Sequence, residues 1–365
     1  MDKRRRAPAR VLLVMFGVLA LALAAPAGAL GTSRPAPAGA YGIYFGELHA
    51  HSKYSDGTGT PAGAYWSSRA AGLDFFTLTD HNMMIAPWEW ADTLAAADGA
   101  DDPGAFVAMA AYEFGWWYDH FNVFDPPYLA RQPEVPQDAK ATADDFEAVL
   151  EGLPGAIAQF NHPTWSGGDD FEDFAYWSPE RDAVIDLIEV YNHGDGEAEW
   201  YEPSYVKCLD AGWQVMPTAV GDTHYVDWDN EIMPYQMRTA LLASKLTREG
   251  LYEAMRAHRG YATLDPNLRI SFAVNGAVMG SEIARSSRYV VNVRVSDPDL
   301  MVAADSVEKL ELLGSGGKLL ASASVAGHSV AWSVSLRGVA SGWVFLRVTT
   351  GDGATAWTAP VWLGR

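Results

Sequence analysis

The spacing of apolar positions divides the chain into three stretches that read differently. The first is a continuous apolar run, Val11 to Ala25, behind a basic head of Lys3, Arg4, Arg5, Arg6 and Arg10. The second, reaching about Asp265, alternates short apolar strands with stretches of helical period. Strands are expected at Ile43–His49, Asp74–Thr79, Phe106–Tyr112, Ala156–Phe160, Val184–Tyr191 and Gln214–Val220. Helices are expected at Ala62–Ala71, Ala143–Glu151 behind Thr142 as N-cap, Glu199–Ala211 and Thr247–His258. Strand alternating with helix predicts βα units on a parallel sheet or barrel. From Leu268 the helical period vanishes. Alternating runs follow at Arg269–Val274, Tyr289–Val295, Glu308–Leu313, Ser329–Ser335, Trp343–Thr349 and Ala356–Leu363, punctuated by turns such as Asn275-Gly276 and Gly351-Asp352-Gly353. A run of this kind predicts a β-sandwich over 266–365.

The first stretch has the anatomy of a secretory signal peptide over 1–30. Pro26 breaks the apolar run, and Ala25 to Ala29 offers A-x-A cleavage points. The fifteen apolar residues fall short of the roughly 20 that span a bilayer, which favours cleavage over a permanent anchor. Ala7-Pro8 follows the arginines where a twin-arginine signal wants apolar residues, and no cysteine marks a lipoprotein site. A Pro/Ala/Gly linker occupies 31–40, so the expected order is signal, linker, βα domain over 41–265 and accessory β domain. The expected location is secreted or periplasmic, with no stable membrane insertion after cleavage.

Composition narrows the function. The 365 residues carry 46 Asp+Glu against 26 Lys+Arg, a formal charge of −20. Residues 1–30 hold net +4, so cleavage would leave about −24. That balance argues against nucleic acid as a partner, which needs a basic footprint. With 49% hydrophobic and 20% charged residues the chain is globular. A single cysteine, Cys208, excludes an internal disulfide and a cysteine zinc site, and its helical setting is that of a core residue.

The histidines carry the chemical message. Of nine, seven stand at the ends of expected strands beside carboxylates. His49-Ala50-His51 closes the first strand, and alternation along a strand points i and i+2 to one side. Asp56 follows in Ser55-Asp56-Gly57. Other strands end in Thr79-Asp80-His81, Tyr112-Glu113 with His120 shortly after, Asn161-His162-Pro163, Tyr191-Asn192-His193 and Gly221-Asp222-Thr223-His224. Active sites of βα folds are built at the carboxyl ends of strands, so this recurrence predicts one metal site. Imidazole and carboxylate without thiolate suit Zn, Mn or Fe. The donors exceed the roughly four to six positions of one ion, so two or three ions are expected.

The ordered motifs His49-x-His51, Ser55-Asp56-Gly57, Thr79-Asp80-His81, Glu113, His120-x-Asn122, His162-Pro163 and Gly221-Asp222-x-His224 resemble the PHP (polymerase and histidinol phosphatase) superfamily. The pattern is most similar to its secreted CehA/McbA-like metallohydrolases and covers roughly Tyr41 to Thr263. The resemblance implies a distorted (βα)7 barrel followed by a C-terminal β-sandwich, with up to three metals. It implies His49, His51, Glu113 and Asp222 around a first ion. Glu113, His120 and His162 would hold a second, and Asp56, His81 and His224 a third. Asp80 reads as a carboxylate orienting a ligand imidazole. His193 lies near the family's Glu-x-x-Asn strand, Glu189 to Asn192, and is a candidate catalytic residue that either contacts substrate or protonates a leaving group. His258, at a helix end, reads as a dipole partner, and His328 has no evident role.

Divalent ions that activate water predict a hydrolase, with a metal-bridging hydroxide attacking a small phosphate ester. A carbamate or carboxyl ester hydrolase is the alternative, because Lys53, Arg69 and Lys207 are the only obvious cations near the ligands. A second alternative is a polysaccharide-binding protein, with an inactive barrel and a β domain touching cell wall or polysaccharide. Trp88, Trp90, Trp116, Trp117 and Trp165 either pack the loops or wall a pocket above the metals.

Overall fold

The strand that organises the fold is β1, Gly42–Glu47, whose neighbours come from distant parts of the chain. The computed structural model describes residues 41–115, 119–130, 149–164, 170–193, 199–225, 236–339 and 341–364. The signal, linker, Trp116, Trp117, Trp165 and most of the Ala143–Glu151 helix lie outside the described residues. On one side β1 pairs in parallel with β2 (Phe75–Leu78), and β2 with β3 (Val107–Gly115). β3 turns back antiparallel onto β4 (His120–Phe124), and β4 pairs antiparallel with β5 (Ile157–Phe160). Parallel pairing resumes from β5 to β6 (Ile185–Asn192) and from β6 to β8 (Met216–Val220), with the short β7 (Glu199–Trp200) antiparallel beside β6.

On its other side β1 pairs antiparallel with β9 (Arg238–Ala243), and β9 with β10 (Gly260–Thr263). The result is a mixed α/β sheet curled into a half-barrel rather than a purely parallel one. Where the edges β8 and β9 approach, the Thr239 hydroxyl donates to Ala219 O and accepts from Ala219 N, both at 3.2 Å. One side chain stands there in place of a backbone ladder. The β4, β9 and β10 strands are not expected from the sequence, because each is short and β4 opens on a polar His-Phe-Asn step.

The helices pack against these strands. Pro61–Ala70 opens with Thr60 accepting from Gly63 N and a proline in its first turn. Arg248–Arg256 opens the same way, with Thr247 accepting from Gly250 N. Glu202–Ala211 ends on Gly212 at φ 110°, a left-handed position that glycine takes without strain. Pro87–Ala100, unforeseen in the sequence, buries only Thr93 and Ala97 and so lacks a clear apolar stripe. Among the described residues no helix is long and apolar enough to cross a membrane.

The later residues are almost all strand. β11 (Arg269–Val274), β12 (Ala277–Val278), β14 (Arg288–Ser296) and β17 (Ser329–Arg337) form a four-stranded antiparallel sheet. A second layer contains β13 (Glu282–Ile283), β15 (Val307–Gly314), β16 (Lys318–Gly327), β18 (Gly342–Thr350), β19 (Thr355–Thr358) and β20 (Val361–Leu363). This layer is continuous with the half-barrel, because β19 pairs with β10 through Tyr261↔Thr358 to Thr263↔Ala356. The expected run Ala356–Leu363 breaks in two at Ala359-Pro360, as a residue without an N–H requires. β16 is absent from the sequence expectation because its side chains stay exposed or half-buried and it shows no apolar face. The two regions share one core that includes Phe45, Leu187, Tyr261, Val291 and Leu346. Arg347 reinforces the junction, bonding Glu311 (2.9 Å) and Glu202 (2.5 Å), while Trp343 Nε1 donates to Asp210 (3.0 Å).

Candidate metal centre

Most candidate ligands sit where a strand begins or runs out; Glu113 lies within β3 and Asp56 in the turn that follows β1. β1 ends at Glu47, and the extended chain beyond it is pinned at two points. Ala50 N donates to Thr79 Oγ1 (3.0 Å), and His51 N donates to Thr223 O (2.8 Å). Alternation then turns His49 and His51 the same way, with their Nε2 atoms 3.2 Å apart. β2 leads into His81, β3 carries Glu113, β4 opens with His120, β5 leads into His162, and β8 leads into Asp222 and His224. Asp222 and His162 hold positive φ, 44° and 25°. Such backbone costs about 1–3 kcal/mol in a non-glycine residue and concentrates at functional positions. Gly115 makes room for a ligand, since a Cβ there would lie 2.3 Å from the His120 ring.

Glu113 is the hub. Its Oε2 lies 2.9 Å from His81 Nδ1, 3.4 Å from His51 Nε2 and 3.5 Å from His49 Nε2. Its Oε1 lies 3.0 Å from His120 Nδ1 and 3.2 Å from His162 Nε2. Asp222 Oδ1 is 3.0 Å from His51 Nε2 and 3.2 Å from His49 Nε2, yet at angles that leave this buried oxygen without a hydrogen bond. Asp56 stands at the mouth, 3.4 Å from both His81 Nε2 and His224 Nε2 and 3.7 Å from His51 Nδ1.

Donor atoms within 4.8 Å of one another fall into overlapping sets. These are His49, His51 and Asp222; His49, Glu113 and His162; His81, Glu113 and His120; and His51, Asp56, His81 and His224. The structure thus brings together all nine candidate ligands and leaves His193 outside these sets. The donors fit divalent metals: imidazole nitrogens face one another across 3.2 Å, and a buried carboxylate oxygen points among them without a proton donor. The overlap at Glu113 suits more than one ion.

Electrostatics explain why the cluster needs compensation. Burial would raise Glu113, but His81, His49 and His120 outweigh it and hold the carboxyl well below its usual range. Burial would also raise Asp222, and His49 and His51 pull it down. Burial lowers His49, yet Asp222, Glu113 and Glu189 hold its imidazole well above the usual value. His51 goes the other way, lowered by burial and further by His81, although Asp222 opposes the shift. Neighbouring imidazoles cannot all be protonated, and divalent ions would supply the positive charge instead.

A layer of buried polar groups holds the ligands. Glu189 Oε1 accepts from His49 Nδ1 (2.8 Å) and Gln159 Nε2 (2.9 Å), while Oε2 accepts from His162 N (2.7 Å) and Asn192 Nδ2 (2.9 Å). Asn161 Nδ2 donates to Glu113 Oε1 (2.9 Å) and to Asn122 Oδ1 (3.0 Å). Asp80 accepts from Ser52 N, Ser52 Oγ and Ser55 Oγ, each at 2.7 Å, and Ser55 Oγ lies 3.2 Å from His51 Nδ1. Asp80 therefore orients an imidazole through a serine rather than directly. Glu47 also lies beneath the ligands, pushed up to about 8 by burial although Leu48, His49 and Gly221 donate backbone N–H groups to it. Glu47, Gln159 and Asn161 belong to no motif in the sequence. Glu47 and Gln159 are marked as polar residues in otherwise apolar strands, and Asn161 directly follows β5.

The remaining candidates take ordinary places. His193 is buried, and desolvation holds its imidazole below the usual value. His258 Nε2 lies 3.2 Å from Asp186, which accounts for it better than a helix dipole. Cys208 is buried in the core, its thiol pushed up by burial. Trp90 packs on Tyr112, whereas Trp88 is 65% exposed with its ring against Tyr54. Arg69 pairs with Asp102, and Lys207 pairs with Asp170 and Asp173, all at 2.6 Å.

No protein-family model matches the chain. An uncharacterised protein of Chlamydia pneumoniae is 31% identical over 137 residues, 34% of this chain and 22% of that protein. One of Chlamydia muridarum is 24% identical over 144 residues, again 34% and 22%. The matches thus span about a fifth of these relatives' length. Among solved structures, a two-domain protein from Bacteroides vulgatus containing a predicted PHP-like metal-dependent phosphoesterase is similar at TM-score 0.47 and 19% identity, covering 90% of this chain and 98% of that one. An amidohydrolase from Chromobacterium violaceum is similar at TM-score 0.34 and 17% identity over 49% of this chain and 87% of its own. At these scores the likeness identifies neither reaction nor substrate.

Proposed function

We propose that the protein is a metal-dependent hydrolase whose Glu113 bridges ions in a di- or trinuclear centre of the PHP-like, CehA/McbA-like kind, and that it cleaves a phosphate ester. The observation that carries this reading is Glu113 itself, whose two buried oxygens face separate imidazole sets. His49, His51 and Asp222 would share the first position with Glu113. His120 and His162 would hold the second, and Asp56, His81 and His224 the third. Bound divalent ions lower the pKa of water toward neutrality and withdraw charge from phosphoryl or acyl oxygens. The protein's part is to fix their geometry: Glu189 locks the His49 ring and the His162 backbone, and Ser55 holds His51 for Asp80. His193, kept neutral by desolvation, suits contact with substrate better than proton donation near pH 7.

The charge around the centre limits the substrate. Arg69 and Lys207 are committed to carboxylates elsewhere, leaving exposed Lys53 of the cations singled out from the sequence. A dianionic monoester gains little from such a rim, so a phosphodiester fits better. The same observation favours, as second reading, a neutral carbamate or carboxyl ester. Turnover of bis(nitrophenyl) phosphate and of a naphthyl carbamate by metal-loaded protein tests both. The proposal expects phosphodiester cleavage that chelation abolishes. Carbamate turnover alone would transfer the function to the second reading, and no turnover of either ester would refute hydrolysis of these classes.

A further inference from the structure

A second cluster of carboxylates lies well away in sequence from the imidazole ligands. Asp265 follows β10, Asp297 follows β14 and Asp305 precedes β15, and one carboxylate oxygen of each lies within 4.8 Å of the others. Asp265 and Asp297 are buried, at 7% and 2% exposure. Two further carboxylates, Asp299 and Asp352, act on Asp305. Among the described residues the Lys and Arg ion pairs within 4.0 Å all fall elsewhere. Arg238 is near enough for its charge to feel Asp265, but its guanidinium donates to Met237 O. His328 faces the cluster and receives Asp297 N on its carbonyl oxygen (2.8 Å).

Acidic residues alone would mean little. What distinguishes this cluster is unsatisfied oxygen. Asp297 Oδ1 accepts from Asp299 N (2.6 Å), whereas its buried Oδ2 has no N–H or hydroxyl donor and meets only the Asp265 carboxyl, with which it must share a proton or a cation. Asn267 Oδ1, next to this network, is likewise buried and unpartnered, while Asn267 N donates to Asp265 Oδ1 (2.9 Å) and Asn267 Nδ2 donates to Asp299 (2.9 Å). A buried carboxylate oxygen left without a donor costs free energy comparable to a lost charged hydrogen bond. A cation would remove that cost.

We propose that Asp265, Asp297 and Asp305 form a calcium site, with Asn267 Oδ1 as a neighbouring donor, clipping the end of β10 to the strands β14 and β15. The donors are oxygen only, which selects a hard cation over the metals suited to imidazole. Calcium tolerates irregular arrangements of six to eight oxygens, whereas magnesium demands a near-ideal octahedron. The ion would tie the half-barrel to the sheet that follows it, a structural role separate from the hydrolytic centre.

The test is thermal unfolding of the full chain in chelator-treated buffer, with and without millimolar Ca²⁺. Calcium should raise the wild-type Tm by about 3 °C, and Asp305→Asn and Asp297→Asn should abolish the rise. His49→Ala should keep it, which separates this site from the imidazole centre. In the absence of calcium, Asp297→Asn should be no less stable than wild type, because it removes repulsion. Should Asp297→Asn fail to fold, Asp305→Asn decides the matter, since its carboxylate is only partly buried. No response in wild type, or a full response in Asp305→Asn, overturns the proposal.

Discussion

The half-barrel and the β-sheet region use polar residues in opposite ways. β14 alternates buried Tyr289, Val291, Val293 and Val295 with side chains that are exposed or half-buried, and its polar groups face solvent. β6, by contrast, is buried along its whole length, yet includes Asp186, Glu189 and Asn192. In the later region the buried charges are few: Glu311 is answered by Lys309 (2.7 Å) and Arg347 (2.9 Å), and Asp297 is the exception. In the half-barrel Glu113 and Asp222 are answered mainly by imidazoles, which are cations only when protonated, and Glu189 by one imidazole and three neutral N–H donors. A strand that alternates is built for stability. A strand that buries carboxylates among histidines at its end gives up stability for a charge it must import.

That contrast can be broken by mutation. His49→Ala should have the largest effect, with activity falling to background and metal content dropping, because His49 belongs to two donor sets. Kinetics and metal analysis on the same preparation check it. Glu189→Gln should reduce metal affinity or turnover by roughly 10–100-fold, the range for groups that orient a ligand imidazole. Ser55→Ala acts through the weaker 3.2 Å contact to His51 and should cost about tenfold or less. In the other region, Phe272→Ala should lower stability by about 3–5 kcal/mol in denaturant unfolding, since Phe272 is a core residue of β11. Its folded fraction should keep the wild-type kcat. A kcat loss in Phe272→Ala as large as that in Glu189→Gln would erase the division between the regions.

The smallest effect concerns pH. Burial and the neighbouring Asp297 raise Asp265 to about 7, against an ordinary aspartate value of 3.8. A raised carboxyl binds more protons folded than unfolded, so its contribution to stability falls as pH rises from about 4 to about 7. Metal-free protein should therefore lose part of its stability across that window, and Asp297→Asn should flatten the loss. Arg238, His328, Asp299 and Asp352 also face the cluster, so the comparison of the two proteins, not either curve alone, isolates the pair.

Much of the site is visible in the sequence because ligands must sit at strand ends, and strand ends leave local marks. His49-x-His51 and Asp222-x-His224 share a spacing of two, and both pairs converge on the cluster in space. What the sequence hides is pairing over distance. Nothing in Arg238–Ala243 announces an antiparallel neighbour for β1, because pairing is decided by which edge is free when the sheet curls. The continuity of β10 with β19 is hidden for the same reason, as ninety-odd residues separate Tyr261 from Thr358. Glu47 and Gln159 stayed hidden because their partners, backbone N–H groups of Gly221 and the carboxylate of Glu189, come from other strands.

If the buried carboxylate of Glu113 joins metal ions, metal content reports it. Wild-type protein purified without chelator and analysed by mass spectrometry for elements should carry at least two imidazole-type divalent ions per chain, and Glu113→Gln should lose most of them while remaining folded by circular dichroism. A wild-type protein without bound transition metal, or a folded Glu113→Gln with undiminished metal, would show that Glu113 does not join metal ions.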